Sequence, residues 1–376
     1  MAAKTVFILG AGFSKNAGIP LQSEFTDSVR RALGFGEGKP SRIIVEQADK
    51  FVSDVFHVGA GDMWPEWEDL FTFLDLSANS GHHLGLGNEP SRLRSLRRAF
   101  LARIIRMLDQ AYEKVVRSKK PSEQGPLQRL DEFLRYIDPS QSAFVSLNWD
   151  DVLERRLAIA RPEIGFNYGP HVTSALFLRN NTCKLVPEND QPLATIQIAK
   201  MHGAVNWLYC DACRRQLSFP PGQTGSVAVQ IMRRKDWEEL GVTQDFPASG
   251  SRKCPFCGVV LGTRIATFSY RKVLDSPILL KAWFLAEDLL RDAANWVFIG
   301  YSLPDADYEF KYLIKRVELS RRKPPRLFVI DKSKVTESRF QRFFGSRLPG
   351  EAICLDGIGP EATRMLRNAR IIGARR

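Results

Sequence analysis

The chain of 376 residues is 44% hydrophobic and 26% charged, ordinary for a globular protein that buries a sizeable core as one large domain with insertions or as two domains. No apolar run approaches the roughly 20 residues that cross a bilayer, and residues 6–9 lead into glycines rather than a cleavage site, so a cytoplasmic protein without a membrane partner is expected. The formal charge of +12 favours anionic partners: a dinucleotide, a nucleic acid or an acidic protein surface.

The first predicted element is a strand over residues 5–9, running into Gly10, Ala11, Gly12, Phe13, Ser14 and, four residues later, Gly18. Glycines at a strand-to-helix turn let the backbone approach a pyrophosphate, and the amides of the following helix hold its charge. Gly18, Ile19 and Pro20 then break the usual dinucleotide fingerprint, because a helix with proline in its second turn is poorly formed. Residues 35–140 delay the next strand far beyond the needs of one crossover helix, which predicts an inserted helical subdomain. Trp64, Trp67, Leu70, Phe71 and Leu74 are its expected core. Leu93, Leu96, Phe100, Ile104 and Leu108 share one helix face, while Arg94, Arg97, Arg98, Arg103 and Arg106 take much of the rest, a face read as solvated.

Further apolar, β-branched runs follow at residues 143–147, 195–199, 296–299, 327–330 and 352–355. Together with the first they predict an α/β fold, a Rossmann-like doubly wound parallel sheet of about six strands. Its expected extent is residues 1–34, 141–209 and 263–376, with the helical insertion at 35–140 and a small zinc-ribbon module at 210–262. That module is marked by Cys210, Cys213, Cys254 and Cys257. In a reducing compartment two Cys-x-x-Cys pairs read as metal ligands, and four thiolates close a tetrahedral Zn²⁺ site, which makes the metal structural. The 40 residues between the pairs exceed the usual ribbon spacing and read as an inserted loop. Cys183 and Cys354 are left unpaired and inert.

Asn148 follows the second run at a strand's carboxyl end, where ligands gather in open α/β sheets. Asp150 or Asp151 also reads as the N-cap of a helix that begins there. His202 follows the third run; its rival reading is a core histidine at a strand end.

The blocks GAGFSKNAGIP at 10–20, SLNWD at 146–150, MHG at 201–203, the two cysteine pairs and GYSL at 300–303 stand in an order that resembles the sirtuin family. The resemblance implies NAD binding and assigns roles. Ala11, Gly12 and Ser14 would line the phosphate site with Gly10 opening the turn, and Phe13, Gly18, Ile19 and Pro20 would complete that cofactor-binding segment. Asn148 would bond the nicotinamide ribose or position a water, Asp150 would organise the nicotinamide side, and His202 would be the general base. Gly300 and Ser302 would face the adenosine half, and Asp331 would meet a ribose hydroxyl. Breaking the bond from ribose C1′ to nicotinamide develops oxocarbenium character, which asks for positioning and a base of near-neutral pKa.

Protein-deacylating sirtuins carry an Arg soon after the GIP motif and a Phe-Gly-Glu segment after the second cysteine pair. Here Gln22 and Ser23 stand where the Phe and Arg would fall, and the second region reads TRIATFSY from Thr263. Together with NWD and GYSLPDADYEF, this looks more like the sirtuin-like domains of bacterial antiviral defence, in which water replaces the acyl-lysine. The likeness therefore implies an NAD⁺ hydrolase that makes ADP-ribose and nicotinamide, in anti-phage defence by NAD depletion. The alternatives are an NAD-dependent protein-lysine deacylase or ADP-ribosyltransferase, and a non-catalytic NAD or ADP-ribose sensor. It also implies a homo-oligomer and a defence partner such as a helicase or nucleic-acid-sensing protein, with direct nucleic-acid contact left open.

Overall fold

The computed structural model describes residues 4–33, 39–59, 62–178, 182–187, 192, 194–244, 246, 252–263, 265 and 277–373. β1 (Thr5–Leu9) is buried along its whole length and passes through Gly10 into α1 (Ala11–Lys15). Gly18, at φ +83°, and Pro20 stop that helix after little more than one turn. Five helices then intervene: α2 (Gln22–Leu33), α3 (Lys39–Phe56), α4 (Trp67–Ser80), α5 (Pro90–Arg117) and α6 (Pro121–Arg135).

α5 buries Leu93, Leu96, Phe100, Ile104 and Leu108 against its neighbours, and Trp67 of α4 sets its ring 5.4 Å from that of Phe100. Trp67, Leu70, Phe71 and Leu74 are buried in one core with the sheet, and Trp64 packs against it. The arginine face of α5 departs from the expected solvated surface. Arg97 pairs with Asp75 on α4, Arg98 with Asp236, and Arg94 donates to the Ala78 carbonyl at 3.2 Å. Three of its arginines thus clamp neighbouring elements, one of them across 138 residues of sequence, and no local pattern announces partners so distant.

The rest of the chain runs β2 (Ser142–Ser146), α7 (Val152–Ala160), β3 (Ile164–Asn167), β4 (Val172–Phe177), β5 (Cys183–Leu185), β6 (Ala194–Lys200), β7 (Trp207–Tyr209) and β8 (Gln216–Ser218). It continues through α8 (Thr224–Val229), α9 (Arg234–Glu239), α10 (Pro277–Asp292), β9 (Asn295–Ile299), α11 (Tyr308–Ser320), β10 (Arg326–Ile330), α12 (Lys334–Phe344), β11 (Ile353–Cys354) and α13 (Pro360–Asn368). The main sheet has seven parallel strands in the order β11-β10-β9-β1-β2-β6-β3. The α/β class and doubly wound parallel sheet are as expected. The added strand is β3, a short edge strand whose Gly165 and Asn167 disguise it. From β1 the chain moves to β2, on to the edge at β3 and back to β6 between those two, and then lays β9 on the other side of β1. That reversal opens a crevice at the carboxyl ends of the central strands, the place where doubly wound sheets bind ligands.

A second sheet, β5-β4-β8-β7, has a small core of its own that holds Ala175, Leu208, Leu217 and Phe219 with Cys210 and Cys254. The segment between the cysteine pairs, expected as loop, includes α8 and α9. Asp236 of α9 accepts from Ser95 of α5 at 3.1 Å, and Trp237 joins the main core.

Candidate active site at the strand carboxyl ends

A cavity of about 930 Å³ opens where β1, β2, β6, β9 and β10 end. Each strand sends its following residues into the wall: Gly10 to Gly12 after β1, Leu147 to Asp150 after β2, His202 after β6, Gly300 to Ser302 after β9 and Asp331 after β10. Ile19 and Pro20 line it as well. Of the residues expected to bind cofactor, Phe13, Ser14 and Gly18 do not reach the wall among those lining it. Phe13 is in the core, and Gly18 lies against α5, where a Cβ would fall 2.4 Å from Val115 Cγ2.

The glycines of the first turn serve a contact that the phosphate-loop reading does not include. A Cβ on Gly10 would sit 2.5 Å from the Gly300 oxygen, and one on Gly12 would sit 2.7 Å from the Gly300 Cα. The Gly12 amide donates to the Gly300 carbonyl at 2.9 Å and the Phe13 amide to the Gly10 carbonyl at 3.0 Å. Gly300 itself has φ +60°, and a Cβ there would lie 2.3 Å from the Phe13 nitrogen. The three glycines let the turns after β1 and β9 touch backbone to backbone, and this crossing floors the cavity.

Ser14 lies beneath the wall and joins two residues on it. Its Oγ donates to Asp150 Oδ1 at 2.8 Å and accepts from Asn148 Nδ2 at 3.0 Å. Asn148 Nδ2 also donates to the Gly10 carbonyl at 2.9 Å. Both amide hydrogens are therefore committed, and the carbonyl oxygen is what Asn148 offers to a ligand. Asp150 Oδ1 also takes the Val152 amide at 3.1 Å, so Asp150 serves the start of α7 as well as Ser14. Asp151 turns away, to Arg155 Nε at 2.9 Å and Thr224 Oγ1 at 2.7 Å. Burial pushes the Asp150 carboxyl above the ordinary carboxylate range, while the Lys200 ammonium and the Ser14 hydroxyl pull it back.

His202 Nδ1 lies 3.0 Å from the Leu147 carbonyl. A carbonyl only accepts, so Nδ1 carries the proton and Nε2 is the basic nitrogen of the neutral ring. The backbone around it is fixed: Val205 donates to the Trp149 carbonyl at 2.9 Å, and Trp283 Nε1 of α10 donates to the Met201 carbonyl at 3.1 Å. His171 is not among the residues lining the cavity.

At the far end, Asp331 Oδ1 accepts the amides of Lys332 and Ser333, each at 2.8 Å, and so braces the turn into α12. Lys332 runs its stem over Gly357, where a Cβ would fall 2.6 Å from Lys332 Cε. Arg339 reaches back to the Ser302 carbonyl at 3.4 Å. Sequence reading missed Lys15, Phe25, Glu68, Leu108, Trp149, Lys332 and Arg339 as cavity residues. Trp149 and Lys332 adjoin residues that were singled out; Phe25, Glu68 and Leu108 come from helices whose place over the site has no local signal.

The four paired cysteines converge. Their Sγ atoms lie within 4.8 Å of one another, with Cys210 to Cys257 at 3.3 Å and Cys213 to Cys254 at 3.6 Å. Tetrahedral Zn–S bonds of about 2.3 Å require sulfurs about 3.8 Å apart, so the four are close enough to hold one zinc ion. The two knuckles share one wiring. Arg214 and Gly258 both adopt positive φ and donate to the carbonyls of Cys210 and Cys254, at 2.8 and 2.9 Å. Burial pushes the Cys183 thiol up to about 11 and also raises that of Cys354, which keeps both protonated near neutrality.

No protein-family model matches the chain, and no curated protein matches it. Among solved structures it is similar to a Sir2 in complex with the inhibitor EX-527, 2′-O-acetyl-ADP-ribose and a deacetylated p53 peptide. That likeness covers 98% of this chain and 94% of the other at 12% identity and a TM-score of 0.35. A structure described as the basis for the mechanism and regulation of Sir2 enzymes gives 11% identity, 98% and 92% coverage and a TM-score of 0.35. Another, on the structural basis of sirtuin substrate affinity, gives 13% identity, 98% and 94% coverage and a TM-score of 0.36. Likeness at this level assigns neither substrate nor reaction, and what the site can do follows from its own residues.

Proposed function

We propose that the cavity binds NAD⁺ and that the protein hydrolyses the nicotinamide–ribose bond, releasing nicotinamide and ADP-ribose. The observation that carries this reading is that His202, its Nδ1 held by the Leu147 carbonyl, shares the cavity wall with Asn148. In the reaction the bond from ribose C1′ to the pyridinium nitrogen breaks, and its electron pair passes to the nicotinamide ring and neutralises it. Water adds to C1′ and gives its proton to His202 Nε2. The oxocarbenium-like transition state needs such a base and an oriented water or ribose hydroxyl, which the Asn148 carbonyl oxygen would hold. A cavity of about 930 Å³ is within the range of ligand sites and large enough to be filled by an extended dinucleotide. Asp331 would meet the adenosine ribose, with Gly300 and Ser302 beside it.

Water is the acceptor in this reading because the segments that seat an acyl-lysine peptide in deacylating sirtuins are missing from the sequence. The side chains of Gln22 and Ser23, and residues 264 and 266–270 of the second segment, lie outside the described residues. The four cysteines would hold one structural Zn²⁺. We place the activity in anti-phage defence by NAD depletion, restrained by self-assembly or by a partner protein until triggered. No helix among the described residues is long and apolar enough to cross a membrane.

Incubation with NAD⁺ and separation of the products tests the reaction. Equal amounts of nicotinamide and ADP-ribose are expected with no acylated peptide added. Turnover that strictly requires an acyl-lysine peptide would overturn the reading in favour of a deacylase.

A further inference from the structure

Lys200 ends β6 two residues before His202, and its side chain and that of Glu154 of α7 are both 0% exposed. Its Nζ lies 3.3 Å from Glu154 Oε1, which also accepts from the Tyr168 hydroxyl at 3.2 Å. A buried ion pair is a poor source of stability, since apolar residues of similar volume are often neutral or better in its place. This pair is also incompletely satisfied: Glu154 Oε2 is buried and accepts no hydrogen bond. Burial raises the Glu154 carboxyl above its ordinary range, a further sign that the charges are held at a cost. Lys200 makes one contact that no apolar replacement could make, a 2.6 Å hydrogen bond to the carbonyl of Asp150.

That bond is one of a set. The carbonyls of Ser146, Leu147, Trp149 and Asp150 accept, in turn, from the Met201 amide, His202 Nδ1, the Val205 amide and Lys200 Nζ, at 3.0, 3.0, 2.9 and 2.6 Å. The loop after β2 is zipped to the loop after β6. Asn148 is the residue skipped, and its side chain turns instead to Gly10 and Ser14. Without Lys200 the zip loses its fastening at Asp150, the residue that anchors Asn148 through Ser14.

We propose that Lys200 is a positioning residue that locks the Asn148-bearing loop in register with His202, an inference that rests on the NAD-cleavage reading. Glu154 then serves as the counter-ion of its ammonium inside the protein. Fixing two reacting groups in one geometry is worth large factors in rate, and a displacement of about 1 Å can cost about 100-fold.

Lys200→Met alone strands the Glu154 charge and can fail to fold, so the test uses Lys200→Met combined with Glu154→Gln. The double variant removes both charges and keeps an acceptor for Tyr168. It is expected to melt close to the wild type and to bind NAD⁺ within about threefold, while nicotinamide release falls about 100-fold. Hydrogen exchange followed by mass spectrometry should show peptides covering 146–151 and 201–205 exchanging at least about tenfold faster. A double variant with wild-type release, or with unchanged protection in both peptides, overturns the proposal. If the wild type releases no nicotinamide, the NAD reading fails by itself, and the exchange rates alone then decide the role of Lys200.

Discussion

Ser14 Oγ donates to Asp150 Oδ1 at 2.8 Å across 136 residues of sequence, and the same oxygen accepts from Asn148. A hydroxyl has one proton, so the direction of this relay is set: Asn148 to Ser14 to Asp150. Ser14→Ala leaves the buried Asp150 carboxyl and the half-buried Asn148 amide each short of a partner, and a loss of about 1–3 kcal/mol is expected. Nicotinamide release should fall as well, because Asn148 loses half of what orients its amide. Urea unfolding and product analysis on one preparation check both effects, and a variant unchanged in each would show that the relay is ornamental.

The same carboxyl makes a prediction about pH. Because burial raises the Asp150 pKa in the folded state, the folded protein binds more protons than the unfolded chain above the ordinary carboxylate range. The stability that Asp150 contributes therefore falls as pH rises through that window, with the full penalty reached above the folded pKa. Asn does not titrate and escapes the penalty. The unfolding free energy of Asp150→Asn relative to wild type should rise as pH climbs above the ordinary carboxylate range, whatever constant packing cost the amide adds. A difference that is flat or falls with pH would contradict the burial account.

Much of this site was legible because each block sits directly after a strand, where a turn motif and a ligand position coincide in sequence. Asn148 and His202 are of that kind and both line the cavity, whereas the paired cysteines were legible from their own spacing. What was not legible depends on contacts across the chain. Ser14 was read as a phosphate ligand, and its partners lie 134 and 136 residues away. Gly12 was read as room for a pyrophosphate; it lines the cavity, and its missing Cβ also leaves room for Gly300, a contact no local pattern announces. β3, the second sheet and the helices between the cysteine pairs are short elements whose stability comes from packing, so their local patterns are weak.

The glycine crossing can be tested by contrast. Gly300→Ala must hold φ near +60° and push a Cβ toward the Phe13 nitrogen 2.3 Å away, so the backbone after β1 or after β9 has to move. A loss of at least about 2 kcal/mol is expected. Gly350→Ala, with nothing within 4 Å of its Cβ position and no positive φ, should stay within about 0.5 kcal/mol of wild type. Equal effects at the two positions would remove the argument for the crossing.

The cysteine cluster predicts close to one Zn²⁺ per chain by elemental analysis of purified protein. Cys210→Ser should lose the metal and lower the melting temperature before it alters chemistry, since a closed structural site acts through folding. Metal content near zero with four freely titratable thiols would contradict the assignment.

The central claim is that His202 is the base for cleavage of NAD⁺, and one paired measurement tests it most directly. Nicotinamide release and calorimetric NAD⁺ binding are compared for wild type and His202→Ala, under conditions in which the wild type is active. The account predicts that release falls by about 10² to 10⁴ while affinity stays nearly constant, because general-base catalysis acts on the transition state. Full activity in His202→Ala, or loss of binding along with activity, would contradict it.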